Sequence, residues 1–270
     1  MPELPEVETI VQGLKPLLLG RSFRQVKIYD EHILYNIEPE IFCNRVAGKQ
    51  ITDLERRGKY IIFKFLYGET MLLHLRMTGA LLWNPLENEP YTRLEFFTDD
   101  GGHLVYSDVR RLGRIYLTDH PRELLEKLGV EPLSDNFTAA RLIELMKRRS
   151  TPIKAVLLNQ KLIAGIGNMY ADEALFKARI HPMQPASSLD CNEIKSLHRA
   201  IREVLKKGIK NNGASVRNYR RTNGEPGRAH LEFAVAHRRG NCCPRCGTPI
   251  IRIVVHQRGT YFCPHCQTKK

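Results

Sequence analysis

CPRCGTPIIRIVVHQRGTYFCPHC, residues 243–266, sets two Cys-x-x-Cys pairs on either side of sixteen residues. That spacing suits four thiolates closing a tetrahedron around one zinc ion. After the first pair come Gly247 and Pro249, then two β-rich runs, IIRIVV and TYF, placed around HQRG. They predict a two-stranded ribbon with an exposed arginine, Arg258, at its tip. A single CxxC could be a redox pair, but two of them bracketing a hairpin favour one structural zinc held by Cys243, Cys246, Cys263 and Cys266. Cys43, Cys191 and Cys242 fall outside the pattern as small apolar residues. Cys242 is next to a ligand and leaves one ligand assignment open.

Upstream of the ribbon, residues 211–240 are rich in Gly, Asn and Arg with weak periodicity, which predicts a mobile loop. Before it the chain reads as helices: AARLIELMKR, IKAVLLNQ, NMYADEALFKA and CNEIKSLHRAIREVLKKGI. In the last, Ile194, Leu197, Ile201 and Leu205 mark the side to be buried. Between two of these helices lies LIAGIGN, where Gly165 and Gly167 permit tight turns and Asn168 is expected as the N-cap of the next helix. A helix start with free N–H groups is a ready phosphate site.

The amino-terminal half has a different pattern. Val7, Ile10, Val11 and Leu14 form the apolar stripe of a helix, with Pro5 in its first turn and Gly20 at its stop. From Arg21 to about Thr118 the runs FRQVKIY, KYIIFKF, TMLLHLRM, RLEFF, HLVYS and RIYLT predict strands. The fold class expected is α+β: a helix and a β-sandwich, then a helical domain, then the zinc hairpin. The boundaries predicted are 1–130, 131–240 and 241–270.

The charge is as uneven as the pattern. The chain of 270 residues carries a net +13. Residues 1–130 hold 17 basic and 19 acidic side chains, and residues 131–270 hold 25 basic and 10 acidic. A single-sign excess confined to one half is the electrostatic footprint of a polyanion partner such as nucleic acid. No apolar run approaches the ~18 residues of a membrane span. The amino terminus lacks the cationic and apolar regions of a leader. A cytoplasmic protein with no membrane partner is expected, acting as a monomer.

PELPEVETI, LLHLRMTG, SDVRRLGR, AGIGNMYADEALF and the CxxC hairpin occur here in one order. Together they resemble the formamidopyrimidine-DNA glycosylase family, and the resemblance spans essentially the whole chain. It implies a β-sandwich with an N-terminal helix, a helix-two-turns-helix domain and a zinc finger, with double-stranded DNA running across the cleft between the halves. It also implies excision of oxidised purines such as 8-oxoguanine and formamidopyrimidines, followed by β,δ-elimination at the abasic site, in a bacterial enzyme associated with the nucleoid through its DNA.

The same resemblance assigns roles. Once Met1 is trimmed, Pro2 would present a secondary amine that displaces the base and holds the opened sugar as a Schiff base, a charged iminium without need of a proton. Glu3 would shuttle protons at the sugar ring, Glu6 would hold the amine, and the strand-borne Lys59 would approach the lesion and its phosphate. His74, Lys154, Asn168 and Arg258 correspond to DNA-contacting positions. Met77, Arg110 and Leu112 would fill the gap left by an extruded nucleotide.

Two positions depart from the family pattern. RRLG stands where RRFG is usual, and Val235-Ala236-His237-Arg238 where VYGR is common. Two rivals follow. One is an endonuclease VIII-like enzyme for oxidised pyrimidines, which Leu4 opposes because glycine is typical there. The other is a non-catalytic damaged-DNA-binding homologue, which the intact Pro2, Glu3, Glu6 and Lys59 oppose.

Overall fold

Residues 1–35 and 37–270 are described in the computed structural model. They fall into two compact units, Met1–Glu126 with Asn211–Arg228, and Lys127–Lys210 with Ala229–Lys270.

The first unit begins with helix α1 (Leu4–Leu18), whose buried face includes Val7, Ile10, Val11 and Leu14 as the apolar period requires. Its chain leaves through Gly20, at φ +79°, where a side chain would be strained. Eight strands follow: β1 (Phe23–Ile28), β2 (Ile51–Arg57), β3 (Tyr60–Phe65), β4 (Thr70–His74), β5 (Gly79–Trp83), β6 (Thr92–Thr98), β7 (His103–Asp108) and β8 (Arg114–Thr118). A short helix, α2 (Pro39–Val46), precedes β2, and one turn of helix, α3 (Arg122–Leu125), follows β8.

The strands pair antiparallel in two four-stranded sheets, ordered β1-β6-β7-β5 and β2-β3-β4-β8. Phe23 of the first sheet stacks on Phe96 at 4.5 Å and meets Phe63 and Phe65 of the second at 6.4 and 6.2 Å. The core of a β-sandwich therefore lies between the sheets, closed by the buried side of α1.

Three strands differ from the sequence reading, β2, β4 and β5, and no expected run covered the GALLW of β5. The run TMLLHLRM was expected as one strand, but β4 ends at His74. Arg76, at φ +52°, turns the chain so that β5 enters the other sheet. β2 was not foreseen: only Ile51 and Leu54 of its seven residues are fully buried, so it lacks a clear apolar alternation.

The second unit has four helices, α4 (Ala139–Met146), α5 (Ile153–Leu158), α6 (Asn168–Ala178) and α7 (Cys191–Lys210). The expected Ile194, Leu197, Ile201 and Leu205 are all buried on α7. At Gly208 any Cβ would come within 2.6 Å of the Tyr170 ring, so glycine is what lets α7 approach α6 this closely. The two turns between α5 and α6 wrap around Gln160, which accepts from Gly165 N and donates to Ile166 O, each at 2.8 Å. The ribbon is β9 (Ile251–Val255) paired with β10 (Arg258–Phe262). His256 and Gln257, at φ +43° and +59°, form its two-residue turn. No helix among the described residues is long and apolar enough to cross a membrane.

Candidate active site

The amino terminus is packed into the start of α1. Met1 is 44% exposed, whereas Pro2, Glu3 and Glu6 are buried. Glu3 and Glu6 form a capping box, in which Glu6 Oε2 accepts from Glu3 N at 2.7 Å. The other oxygen, Oε1, accepts from Ala214 N at 2.8 Å. Burial lowers the basicity of the terminal amine; Glu3 and Glu6 oppose this, while Lys59 and Arg217 reinforce it. These four charged side chains therefore surround the amino end.

Lys59 is buried, and it occupies a turn rather than a strand. Gly58, at φ +57°, takes the first of two loop positions between Arg57 and Tyr60, as a type II′ hairpin needs. Arg56 ties this hairpin to α1, donating to Glu8 at 2.7 Å and to Gly58 O at 3.1 Å. A partner 48 residues away leaves no local signal of this tie in the sequence.

His74, at the end of β4, has its Nδ1 accepting from Arg76 N at 3.0 Å. The ring is neutral with its proton on Nε2, because burial, helped by Arg76 and Lys59, lowers its pKa to about 3. It can donate one hydrogen bond without carrying charge.

Met77 and Leu112 are each 38% exposed, and Arg110, two residues before Leu112, is exposed as well. The buried carboxylate of Asp108 organises their loops. It accepts from Arg110 N (3.2 Å), Leu112 N (2.9 Å) and Gly113 N (2.8 Å), and from the Thr78 hydroxyl. Thr78 in turn accepts from Arg110 N at 3.1 Å, which joins the Met77 loop to the Arg110–Leu112 loop. Arg111, left-handed at φ +56°, anchors the same loop to Asp30.

In the second unit, Lys154 is fully buried and its Nζ lies 2.7 Å from Asp172 Oδ1. It also donates to Thr260 Oγ1 at 2.8 Å and Gly259 O at 3.2 Å. Asp172 Oδ2 accepts from Tyr261 N at 3.0 Å. Burial raises the Asp172 carboxyl, and Lys154 counters it. Lys154 therefore grips β10 from inside and offers no surface.

Asn168 is the first residue of α6 and Gly167 is its N-cap, one position earlier than the sequence suggested. Its amide donates to Gly259 O at 2.9 Å instead of capping the helix. Arg258 is exposed at the head of β10, next to the carbonyl that Asn168 and Lys154 share.

Glu173, the residue after Asp172, was missed. Its buried carboxylate accepts from Ala234, Val235 and Ala236 N at 2.8–2.9 Å, which pins the strip leading to the ribbon. Ala236, at the position where a tyrosine is common, is buried there.

The sulfurs of Cys243, Cys246, Cys263 and Cys266 lie within 4.8 Å of one another. Cys243–Cys266 and Cys246–Cys263 are 3.9 and 3.5 Å apart. Tetrahedral Zn–S bonds of about 2.3 Å put sulfurs roughly 3.8 Å apart. Arg245 N and Cys266 N donate to Cys243 and Cys263 sulfurs at 3.4 Å, which favours thiolates. Four sulfurs fit a closed structural zinc site. Cys242 lies outside the cluster, bridged to Pro249.

Comparison with known proteins gives three consecutive family matches. Residues 1–115 match the formamidopyrimidine-DNA glycosylase N-terminal domain, 128–220 its H2TH domain, and 240–269 the zinc finger found in FPG and IleRS. The formamidopyrimidine-DNA glycosylase of Chloroflexus aggregans is 45% identical, over 99% of this chain and 98% of that protein. The one from Enterococcus faecalis is 41% identical, over 100% and 98%.

Among solved structures, the Fpg (MutM) protein of Thermus thermophilus aligns over all of both chains with a TM-score of 0.90 and 41% identity. Lactococcus lactis Fpg in complex with abasic-site DNA aligns over 99% of this chain and 100% of that one, with a TM-score of 0.92 and 36% identity.

Proposed function

Because the chain belongs to the formamidopyrimidine-DNA glycosylase family, we propose that it repairs double-stranded DNA by excising oxidised purines through an amine at Pro2 and then cleaving the abasic site by β,δ-elimination. It is a base-excision repair glycosylase and abasic-site lyase. It acts as a monomer in the bacterial cytoplasm. The observation that carries the amine assignment is the amino end itself, where a buried Pro2 is surrounded by Glu3, Glu6 and Lys59 and only Met1 projects into solvent.

Removal of Met1 frees the Pro2 nitrogen. The nitrogen bonds to C1′ of the sugar, and the C1′–base bond breaks with its electron pair leaving on the base, which takes up a proton. Glu3 supplies and recovers protons as the sugar ring opens, giving an iminium. The positive nitrogen acidifies the C2′ proton. Its loss expels the 3′ phosphate, a second elimination expels the 5′ phosphate, and water returns the free amine. Glu6 holds the start of α1 so that the amine keeps its place. Lys59 and the neutral Nε2–H of His74 from the first unit, and Asn168 and Arg258 from the second, grip phosphates, while Met77, Arg110 and Leu112 occupy the space of the extruded nucleotide. Lys154 serves this grip indirectly, through Gly259. The zinc holds the Arg258 ribbon and takes no part in bond breaking.

One observation widens the substrate range: Lactococcus lactis Fpg has been crystallised with DNA containing an oxidised pyrimidine. That complex supports a second reading, in which DNA carrying oxidised pyrimidines also enters this site.

The test is borohydride trapping on abasic-site duplex together with intact-mass measurement. A covalent adduct on chains that begin at Pro2, and none on chains kept blocked by Met1, is the expected result. Equal trapping by a fully Met1-blocked preparation would overturn the assignment. Incision of duplexes carrying 8-oxoguanine, formamidopyrimidine or an oxidised pyrimidine ranks the lesions.

A further inference from the structure

The sheet β2-β3-β4-β8 carries a row of rings on the face turned away from the sandwich core, of which the mechanism above uses only His74. Ile61, Leu73 and Ile115 point into the core from β3, β4 and β8. The alternation of a strand therefore gathers Tyr60, His74 and Tyr116 on the opposite face. The chain at Leu34 and Tyr35 runs along the free edge of β8: Leu34 bridges to Ile115, and Tyr35 N donates to Ile115 O at 2.8 Å. Each ring meets the next. The centroids of His74 and Tyr60 are 4.8 Å apart, those of Tyr60 and Tyr116 6.4 Å, and those of Tyr116 and Tyr35 4.7 Å.

Covering the sheet does not account for the whole row. Ile62 and Leu72 lie on the same face and are buried, so part of the ring surface serves as their cover. Tyr35, at the outer end, is nevertheless 46% exposed. The planes of neighbouring rings differ by 44° to 81°, so no ring lies flat on the next. Two arginines accompany them. Arg76 N donates to His74 Nδ1, and Arg114 is opposite His74 in register. The Arg114 guanidinium donates to the carbonyls of His32 and Gly113, and neither arginine forms an ion pair among the described residues.

We propose that this face binds unpaired DNA, with bases of a single strand lying on Tyr35 and Tyr116 and its phosphates following Arg114 and Arg76 toward His74. The proposal rests on the base-excision reading above, because His74 is where the row joins the grip on the duplex. Every base offers a π face, so rings set beside cations hold a single strand whatever its sequence. An apolar protein segment would instead have to desolvate two arginines without giving them an anion. Cutting the abasic site also creates such a strand, since the nucleotides beside the break lose a neighbour to stack on.

The experiment uses the full chain with Tyr35→Ala, Tyr35→Phe and Tyr116→Leu, the last keeping apolar cover over Ile62 and Leu72. Binding of oligo-dT is measured at fixed salt, beside incision of an abasic-site duplex with flush ends. Tyr35→Ala and Tyr116→Leu should each weaken oligo-dT binding roughly tenfold, the scale of one lost base–ring stack. Tyr35→Phe should bind as the wild type does, and incision of the flush duplex should stay unchanged in all three. A wild-type chain that does not bind oligo-dT, equal binding by Tyr35→Ala, or an equal loss in Tyr35→Phe would overturn the stacking face. A parallel loss of duplex incision would overturn it too, since the row would then serve the duplex alone. A wild-type chain that incises no abasic duplex but binds oligo-dT through Tyr35 would sink the functional reading and leave the face standing.

Discussion

The sandwich and the zinc ribbon place their candidate DNA-contacting residues by opposite means. In the sandwich, a continuous apolar core from Val7 to Leu117 fixes two sheets, and the residues that matter sit where strands end: Lys59 in a hairpin turn, His74 at the close of β4, Arg110 and Leu112 after β7. The apolar cluster that includes the ribbon is small, built on Phe176, Val235, Cys243, Ile250 and Cys263. Two of those five residues are cysteines of the zinc cluster. The ribbon's position on α5 and α6 then rests on Lys154, Asp172 and Asn168. Hydrophobic burial is non-directional and spread over many residues, so losing one side chain weakens the whole a little. A metal and a buried charge pair are directional and few, so losing one undoes the arrangement locally.

Zinc removal is the strongest way to break this contrast. Structural zinc binding supplies about 10 kcal/mol or more of folding free energy to ribbons of this kind. Chelation, or Cys243→Ser, should unfold residues 241–268 and abolish DNA binding while leaving the sandwich folded. Limited proteolysis with mass readout checks this: new cuts confined to the ribbon are expected. Cuts that spread through Phe23–Thr118 would show that the two regions are not held independently.

The next effect is at Lys154. Removing one partner of a buried pair leaves an uncompensated charge and costs roughly 3–5 kcal/mol. Lys154→Ala should therefore destabilise the helical unit by that order and release β10, whereas Lys154→Met with Asp172→Leu should restore much of the stability. Because Gly259 O would still lose its Lys154 bond, DNA affinity should recover less than stability does. Denaturant unfolding and binding at fixed salt separate the two.

Much of this arrangement was legible in sequence, and where it was not the cause is distance or exposure. The helix at Val7–Leu14, the face of α7 and the zinc ribbon each repeat within a few residues, so a local pattern reveals them. β2 was hidden because its mostly polar, partly exposed residues carry no alternation. The sites divide in the same way. Pro2, Glu3 and Glu6 stand in one motif. The internal position of Lys154 depends on Thr260, 106 residues on, and that of Arg56 on Glu8, 48 residues back. Lys154 in particular was assigned to DNA contact by family resemblance, and because lysines are seldom fully buried nothing in the sequence pointed it inward.

His74 sharpens the contrast from the sandwich side, with an effect of up to about 1.4 kcal/mol for each pH unit of acidification. Its folded pKa of about 3 lies below the unfolded value near 6.5, so below pH 6.5 the unfolded chain binds a proton that the folded chain refuses. The contribution is fully present above pH 6.5 and is lost as pH falls toward 3. His74→Gln keeps an N–H donor and should flatten the stability profile across that window, while DNA affinity near pH 7 changes little. An unaltered acid profile in the variant would mean that the ring does not titrate as its burial requires.

The smallest expected effect is at Leu112. Base–aromatic stacking contributes roughly 1–3 kcal/mol where it occurs, and leucine can wedge between base steps but cannot stack. The backbone of the loop is held by Asp108 through the N–H groups of Arg110, Leu112 and Gly113, so a change of side chain at 112 leaves its path intact. Leu112 is also 38% exposed, so little core packing is lost on replacement. Leu112→Phe should therefore tighten binding to a lesion duplex, near the low end of that range because the ring is presented to solvent before DNA arrives. Arg110 keeps a fork of donors suited to cytosine's acceptors, so a preference for cytosine opposite the lesion is expected with either residue at 112, and Arg110→Ala should flatten it. Binding and single-turnover excision at one salt concentration are the measurements. Unchanged or weaker binding by Leu112→Phe would mean that the wedge is shaped around leucine, and that the sandwich fits its exposed loops as closely as the ribbon fits its buried charges.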